Sequence, residues 1–183
     1  MVRRRYARDV QYSRPLSGEP LSLDLVNTAW PQNGVWHDVL ADRPGHEQWQ
    51  QENGLAGPAT PAARRALVQA RDAIRAALEH PGPTALAALD GILERGRIRL
   101  RAGTPTAREE LEIASEWRAP WLAARNLLQL LDEHPERVRQ CGNPDCVLWF
   151  LDTTRSGTRR WCSMTACGNR LKARRHYQRQ HPD

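Results

Sequence analysis

The only four cysteines of the chain, Cys141, Cys146, Cys162 and Cys167, fall within 27 residues at a spacing of C-x4-C-x15-C-x4-C. Each C-x4-C pair can bring two sulfurs to one side of a tight turn, and two such pairs can close a tetrahedron around one metal ion. Four thiolates favour Zn²⁺ in a reducing compartment, and a closed site leaves no open position for metal catalysis. Two disulfides in a secreted domain are the competing use of the same residues. The start, Met1-Val2-Arg3-Arg4-Arg5-Tyr6-Ala7-Arg8-Asp9, is basic, but no apolar stretch of about 7–15 residues follows it, so zinc is favoured. C-x4-C also differs from the C-x-x-C of thiol oxidoreductases. His176, one helical residue among arginines, suits a polar contact better than a fourth-ligand role.

The expected module can be followed residue by residue. Gly142-Asn143-Pro144-Asp145 tolerates a tight turn, Val147–Leu151 is strand-like, and Ser156-Gly157 supplies another turn. Arg159-Arg160-Trp161 then leads back to Cys162, and residues 171–180 have helical character before His181-Pro182. Knuckle, hairpin, second cysteine pair and helix resemble a treble clef. So small a unit needs its metal, because a structural zinc contributes roughly 10–16 kcal/mol of apparent binding energy in small fingers.

Charge is concentrated in the same place. Residues 137–183 carry ten basic side chains against three acidic ones, whereas the remaining residues carry 17 basic and 18 acidic. A net +7 on the module against −1 elsewhere calls for an acidic partner of the C-terminal part.

Upstream, the pattern is mainly helical. Residues 20–28 alternate apolar and polar, which favours a strand, although Leu21 and Leu25 also stand one helical turn apart. Asp42, Pro44 and Gly54 bracket a short helix, and Thr60-Pro61 opens a long amphipathic one to residue 79 that Pro81-Gly82-Pro83 stops. A further helix is expected over about 84–94, with Leu86, Leu89 and Leu93 on one face. A hairpin follows over 97–114, and a last helix over 117–133 ends before Pro135.

Cys141 to Cys146, Phe150-Leu151-Asp152, Arg160-Trp161-Cys162-Ser163-Met164, and Cys167-Gly168-Asn169-Arg170 with Lys172-Ala173-Arg174 resemble a CGNR zinc finger. Leu21–Thr28 and Ala70–Arg75 are similar to the ABATE domain that commonly precedes that finger. The resemblance implies a bacterial stress-related transcription regulator. The expected fold is mainly α with a small β component: a flexible basic tail over 1–18, a helical ABATE-like domain over 19–134, and a treble-clef-like ββα zinc finger over 137–183.

Function follows as an expectation. One structural Zn²⁺ on Cys141, Cys146, Cys162 and Cys167 would hold a basic surface of Arg155, Arg159, Arg160, Arg170, Lys172, Arg174, Arg175 and Arg179 against double-stranded DNA. RNA, stacked on Trp149, Phe150, Trp161 or Tyr177, and an acidic protein partner are the alternatives. No nucleophile-base motif, phosphate loop or acid pair suggests an enzyme. No apolar run approaches the roughly 20 residues that span a bilayer, so a cytoplasmic, nucleoid-associated protein is expected. The helical domain is a candidate sensor of a small-molecule effector, with Asn27, Trp30, Trp36 and Arg71 as pocket candidates, and homo-oligomerisation is left open. The plainer assignment of those four is a turn cap, two packed tryptophans and an exposed arginine.

Overall fold

The structure, a computed structural model, describes residues 14–104 and 106–169. The strand favoured over residues 20–28 is instead a helix, α1 (Leu21–Val26). Alternation misleads here because its polar positions are not a solvent face: Ser22 and Asp24 are as buried as Leu23 and Leu25. Ser22 donates from its N–H and its hydroxyl to Asn126 Oδ1 at 3.0 and 2.9 Å. Asp24 accepts from Arg14 Nη1 at 2.8 Å, Trp49 Nε1 at 2.9 Å, Asn53 Nδ2 at 3.1 Å and the Gly18 N–H at 2.9 Å. A buried carboxylate persists only when its lone pairs are matched in this way.

That network also shortens the expected tail. The Arg14 side chain is 2% exposed and bridges Asp24 and Glu52, so residues 14–18 belong to the folded domain. Residues 1–13 lie outside the described residues.

β1 (Ala29–Gln32) and β2 (Val35–Asp38) pair antiparallel around Asn33-Gly34, whose φ values of 52° and 76° suit the two-residue loop that matches strand twist. Helix α2 (Arg43–Glu52) is capped by Asp42, which accepts from the Gly45 N–H at 2.9 Å, and the chain turns at Gly54 with φ 63°. Helix α3 (Pro61–Glu79) starts on Thr60, whose hydroxyl accepts from the Ala63 N–H, and buries Ala66, Leu67, Ala70, Ile74 and Ala77. Both follow the expected boundaries closely.

Helix α4 (Pro83–Leu93) returns along α3, but it turns a different face inward. Ala85, Leu89 and Ile92 are buried, while Leu86 is 50% exposed. The helix is apolar nearly all round, so periodicity alone permits either face. β3 (Gly96–Arg101) and β4 (Arg108–Ile113) form the expected hairpin, with Arg97 and Arg99 on Glu112 and Arg101 on Glu110. Helix α5 (Arg118–Glu133) buries Ala123, Ala124, Leu127 and Leu130 against α1, α3 and α4.

A 3-10 turn, Pro135–Arg137, leads into β5 (Val138–Gln140), which pairs antiparallel with β6 (Trp149–Leu151). The hairpin of the finger therefore flanks the first cysteine knuckle. Residues 159–161, expected to return as its second arm, form no strand. The Arg159 N–H and the Trp161 carbonyl are taken up by side chains instead, and the Arg160 carbonyl by the Gly142 N–H. The result is a mainly helical protein with small two-stranded sheets.

Candidate metal centre

Cys141 and Cys146 sit at the two ends of the knuckle between β5 and β6. The Cys141 N–H donates to the Leu148 carbonyl at 2.8 Å and the Cys146 N–H to the Asn143 carbonyl at 2.9 Å, which closes the turn. The second pair is fixed by Ser163. Its carbonyl accepts from the N–H groups of Cys167 and Gly168, and its hydroxyl accepts from the Ala166 N–H, forming a single wide turn over Met164–Gly168.

These two turns bring the four sulfurs within 4.8 Å of one another. Cys146 Sγ lies 3.9 Å from Cys162 Sγ, and Cys162 Sγ lies 3.6 Å from Cys167 Sγ. A tetrahedral zinc with Zn–S bonds of about 2.3 Å would place its sulfurs about 3.8 Å apart, whereas a disulfide requires about 2.05 Å. All four cysteines are free, and their separations fit a shared metal ion rather than a disulfide.

Thiol protons of Cys146 and Cys162 shared towards Cys141 draw the Cys141 pKa down and push those of Cys146 and Cys162 up. A cation at the centre is what lets such close sulfurs be thiolates together. Two N–H groups are aimed at the ligands: the Cys162 N–H reaches Cys141 Sγ at 3.4 Å, and Asn143 Nδ2, fully enclosed, reaches Cys167 Sγ at 3.5 Å. When bound, zinc supplies a rigid tetrahedral cross-link, and these donors orient and neutralise its sulfurs.

Asp152 organises the segment between the pairs. Its carboxylate, buried in the turn, accepts from the Thr154 hydroxyl at 2.6 Å, the Thr154 N–H at 2.9 Å and the Arg159 N–H at 2.8 Å. The Thr154 hydroxyl above all, then those N–H groups and the Arg139 charge, holds its pKa below the usual carboxylate range. Arg159 lies over the Phe150 ring at 4.2 Å and donates to the carbonyls of Trp161 and Cys162 at 3.0 and 2.5 Å. The Gly142 N–H donates to the Arg160 carbonyl at 2.8 Å, an approach a side chain would crowd, because a Cβ there would lie 3.1 Å from that carbonyl oxygen.

The finger is bolted to the helical domain. Asn27 Nδ2 donates to the Trp149 carbonyl at 2.8 Å, and the Trp149 N–H donates to Asn27 Oδ1 at 2.9 Å. Glu19 accepts from the Leu151 N–H at 2.9 Å and faces Arg159 at 3.4 Å. Among the pocket candidates, Asn27 is thus a structural bridge, Trp30 is buried and stacks on His37, and Trp36 is 55% exposed. Arg71 is not the exposed residue of the plainer assignment: it is buried and grips Asp38 through two bonds of 2.6 and 2.9 Å. These four do not converge on one pocket.

Of the basic residues expected on a nucleic-acid surface, Arg155 and Arg160 are exposed, Arg160 packing over Trp161 at 5.4 Å. Arg159 is half-buried and engaged inside the finger. Arg170, Lys172, Arg174, Arg175 and Arg179, with the helix expected over 171–180, lie outside the described residues. Sequence reasoning missed Glu19 and Asn143. Neither carries a pattern signal, although Asn143 lies within the cysteine knuckle.

A helical domain joined to a four-thiolate centre defines a zinc-finger protein with one structural zinc. Residues 137–180 match the CGNR zinc finger, and residues 19–134 match ABATE, described as "Putative stress-induced transcription regulator". The chain belongs to the ABATE family and carries a CGNR zinc finger after that domain. A comparison with curated proteins finds no match. Among the described residues, no helix is long and apolar enough to cross a membrane.

Proposed function

We propose that the protein regulates transcription by binding double-stranded DNA through its zinc finger, without catalytic activity, on the bacterial nucleoid. The observation that carries this is the charge partition, +7 over residues 137–183 against −1 over the rest, in a member of a transcription-regulator family. Phosphate contacts supply most of the affinity of such surfaces, and fixed phosphate contacts set the register in which a few side chains reach base edges.

In this account zinc and Asp152 are scaffold. They fix the turn that displays Arg155 and Arg160, while Arg159 ties the turn to β6 and the second cysteine pair. Arg170, Lys172, Arg174, Arg175 and Arg179 provide the remaining phosphate contacts. An RNA mode loses support at Trp149 and Phe150, which are buried and offer no face for base stacking.

Selection of the zinc-loaded protein on mixed random pools of duplex DNA, single-stranded DNA and RNA tests the proposal. Enrichment of duplex DNA carrying a common motif supports it. Enrichment of single strands alone, or of nothing, rules it out.

A further inference from the structure

Helices α3 and α4 are joined by three residues, so they run antiparallel, and they leave between them an open groove of about 1140 Å³. Its floor is made of small side chains: Ala73 and Ala76 on α3, and Ala85, Ala88 and Gly91 on α4. From Arg65 to His80 the groove follows α3 for about 22 Å at 1.5 Å per residue. Ligand sites of this kind are mostly apolar, with a few polar groups that fix orientation.

The arginines of the lining are gathered at one end, whereas Gln69 and Asp72 lie midway along α3 and His80 and Thr84 at the other end. Arg64 and Arg65 lie on the first turns of α3, and Arg95 follows the C-terminus of α4, so the antiparallel packing brings all three to the same end of the groove. Arg64 donates to the Ala41 carbonyl, and Arg95 lies 4.5 Å over the Trp117 ring. Among the described residues none of the three makes a salt bridge to an acidic side chain. The one acid in the lining, Asp72, faces Arg71 at 3.6 Å. Elsewhere in this domain Arg14, Arg43, Arg71, Arg97, Arg99, Arg101 and Arg125 each meet a carboxylate, and Arg75 is taken up by the carbonyls of Val26 and Ala29.

We infer that this groove binds a small amphipathic carboxylate, its carboxyl group held at Arg64, Arg65 and Arg95 and its apolar body lying over Ala73, Ala76, Ala85 and Ala88. Arginine is suited to this because its fork can bind a carboxylate through two parallel N–H donors. The ends of the chain are poor occupants on charge grounds, since residues 1–13 carry four arginines against one acid and residues 170–183 carry five cations against one acid. The inference is independent of DNA binding.

Calorimetric titration of the zinc-loaded full-length protein with decanoate and with 4-phenylbutyrate tests it, with decanol and acetate as controls. Saturable one-to-one binding of at least one carboxylate is expected, and at least 10-fold weaker binding of both controls. Arg65→Gln and Arg95→Gln, both at exposed positions, should each weaken the carboxylate about 10-fold, and Ala88→Trp should block it, while Arg101→Gln, at the far end of β3 and outside the groove lining, leaves it unchanged. The inference is overturned if neither carboxylate binds, if decanol binds as well as decanoate, or if the Arg65 and Arg95 variants bind like the parent. Concentration-dependent self-association that Ala88→Trp abolishes and decanoate leaves unchanged would also overturn it, by showing a second copy in the groove.

Discussion

Asn27 and Trp149, 122 positions apart, are joined by a reciprocal pair of hydrogen bonds in which the Asn27 side-chain amide takes the place of a neighbouring strand. It fills both backbone groups of Trp149, and both residues are buried. Asn27 itself follows α1, and the carbonyls of Val26, at the end of α1, and of Ala29, at the start of β1, accept from Arg75 of α3. The position of the finger is therefore set by a short polar segment in the middle of the helical domain.

Asn27→Ala should destabilise the protein by about 2–4 kcal/mol, because it leaves a buried N–H and a buried carbonyl of Trp149 unpaired at roughly 1–3 kcal/mol each. Urea denaturation of the zinc-loaded protein measures this. A change within about 0.5 kcal/mol, the usual scatter of neutral substitutions, would remove the bridge from the account.

Removal of zinc should release the finger before the helices. Amide hydrogen exchange after chelation is expected to rise across residues 138–169, while α3 and α5 keep their protection. Protection unchanged in the finger would mean that its own packing suffices without metal.

Asp152→Ala should lower zinc affinity by about 10-fold, as changes to residues that orient metal ligands do. It leaves the N–H groups of Thr154 and Arg159 without their acceptor and frees the approach to Cys162. Competition with a chromophoric chelator gives the affinity. Asp152 ionised is also part of the native turn, and its depressed pKa means that this contribution is present above the ordinary carboxylate pKa and lost as pH falls through the lower folded value.

His46 governs a milder acid response. It is fully buried on α2, neither ring nitrogen has a hydrogen-bond partner among the described residues, and desolvation first, then the Arg64 charge, lowers its pKa against the weaker opposing pull of Glu47. The folded protein thus binds fewer protons here than the unfolded chain, so stability falls as pH drops below the unfolded His value of about 6.5. In His46→Leu, thermal stability between about pH 7 and pH 5.5 should become flatter than in the parent. An equal slope in both proteins would assign the response to other groups.

The cysteine spacing, the caps at Asp42 and Thr60 and the stripe of α3 were legible because each is a local rule with one outcome. The α1 segment was not, because alternation signals a strand only when its polar half faces water, and here Ser22 and Asp24 find partners at Asn126, Trp49 and Arg14, far off in sequence. The β1–β2 hairpin did have a signal, Asn33-Gly34, which sequence reasoning passed over. Burial of Arg71 followed from Asp38, a pairing that no spacing rule connects across 33 residues. In the finger, the ligands were readable from their spacing, whereas the engagement of Arg159 was not: three neighbouring arginines look alike until Phe150 and the Cys162 carbonyl select one.

The central claim is that zinc holds a basic surface that engages DNA phosphates, and a salt titration of duplex affinity tests it most directly. Fluorescence anisotropy with a duplex carrying the selected motif should show log affinity falling with log salt at about 0.9 per phosphate neutralised. Arg174→Gln, Arg175→Gln and Arg179→Gln together should abolish binding while zinc content stays at one per chain, and chelation of the parent protein should abolish it as well. Affinity that is independent of salt, or that survives the triple substitution and loss of zinc, would contradict the account.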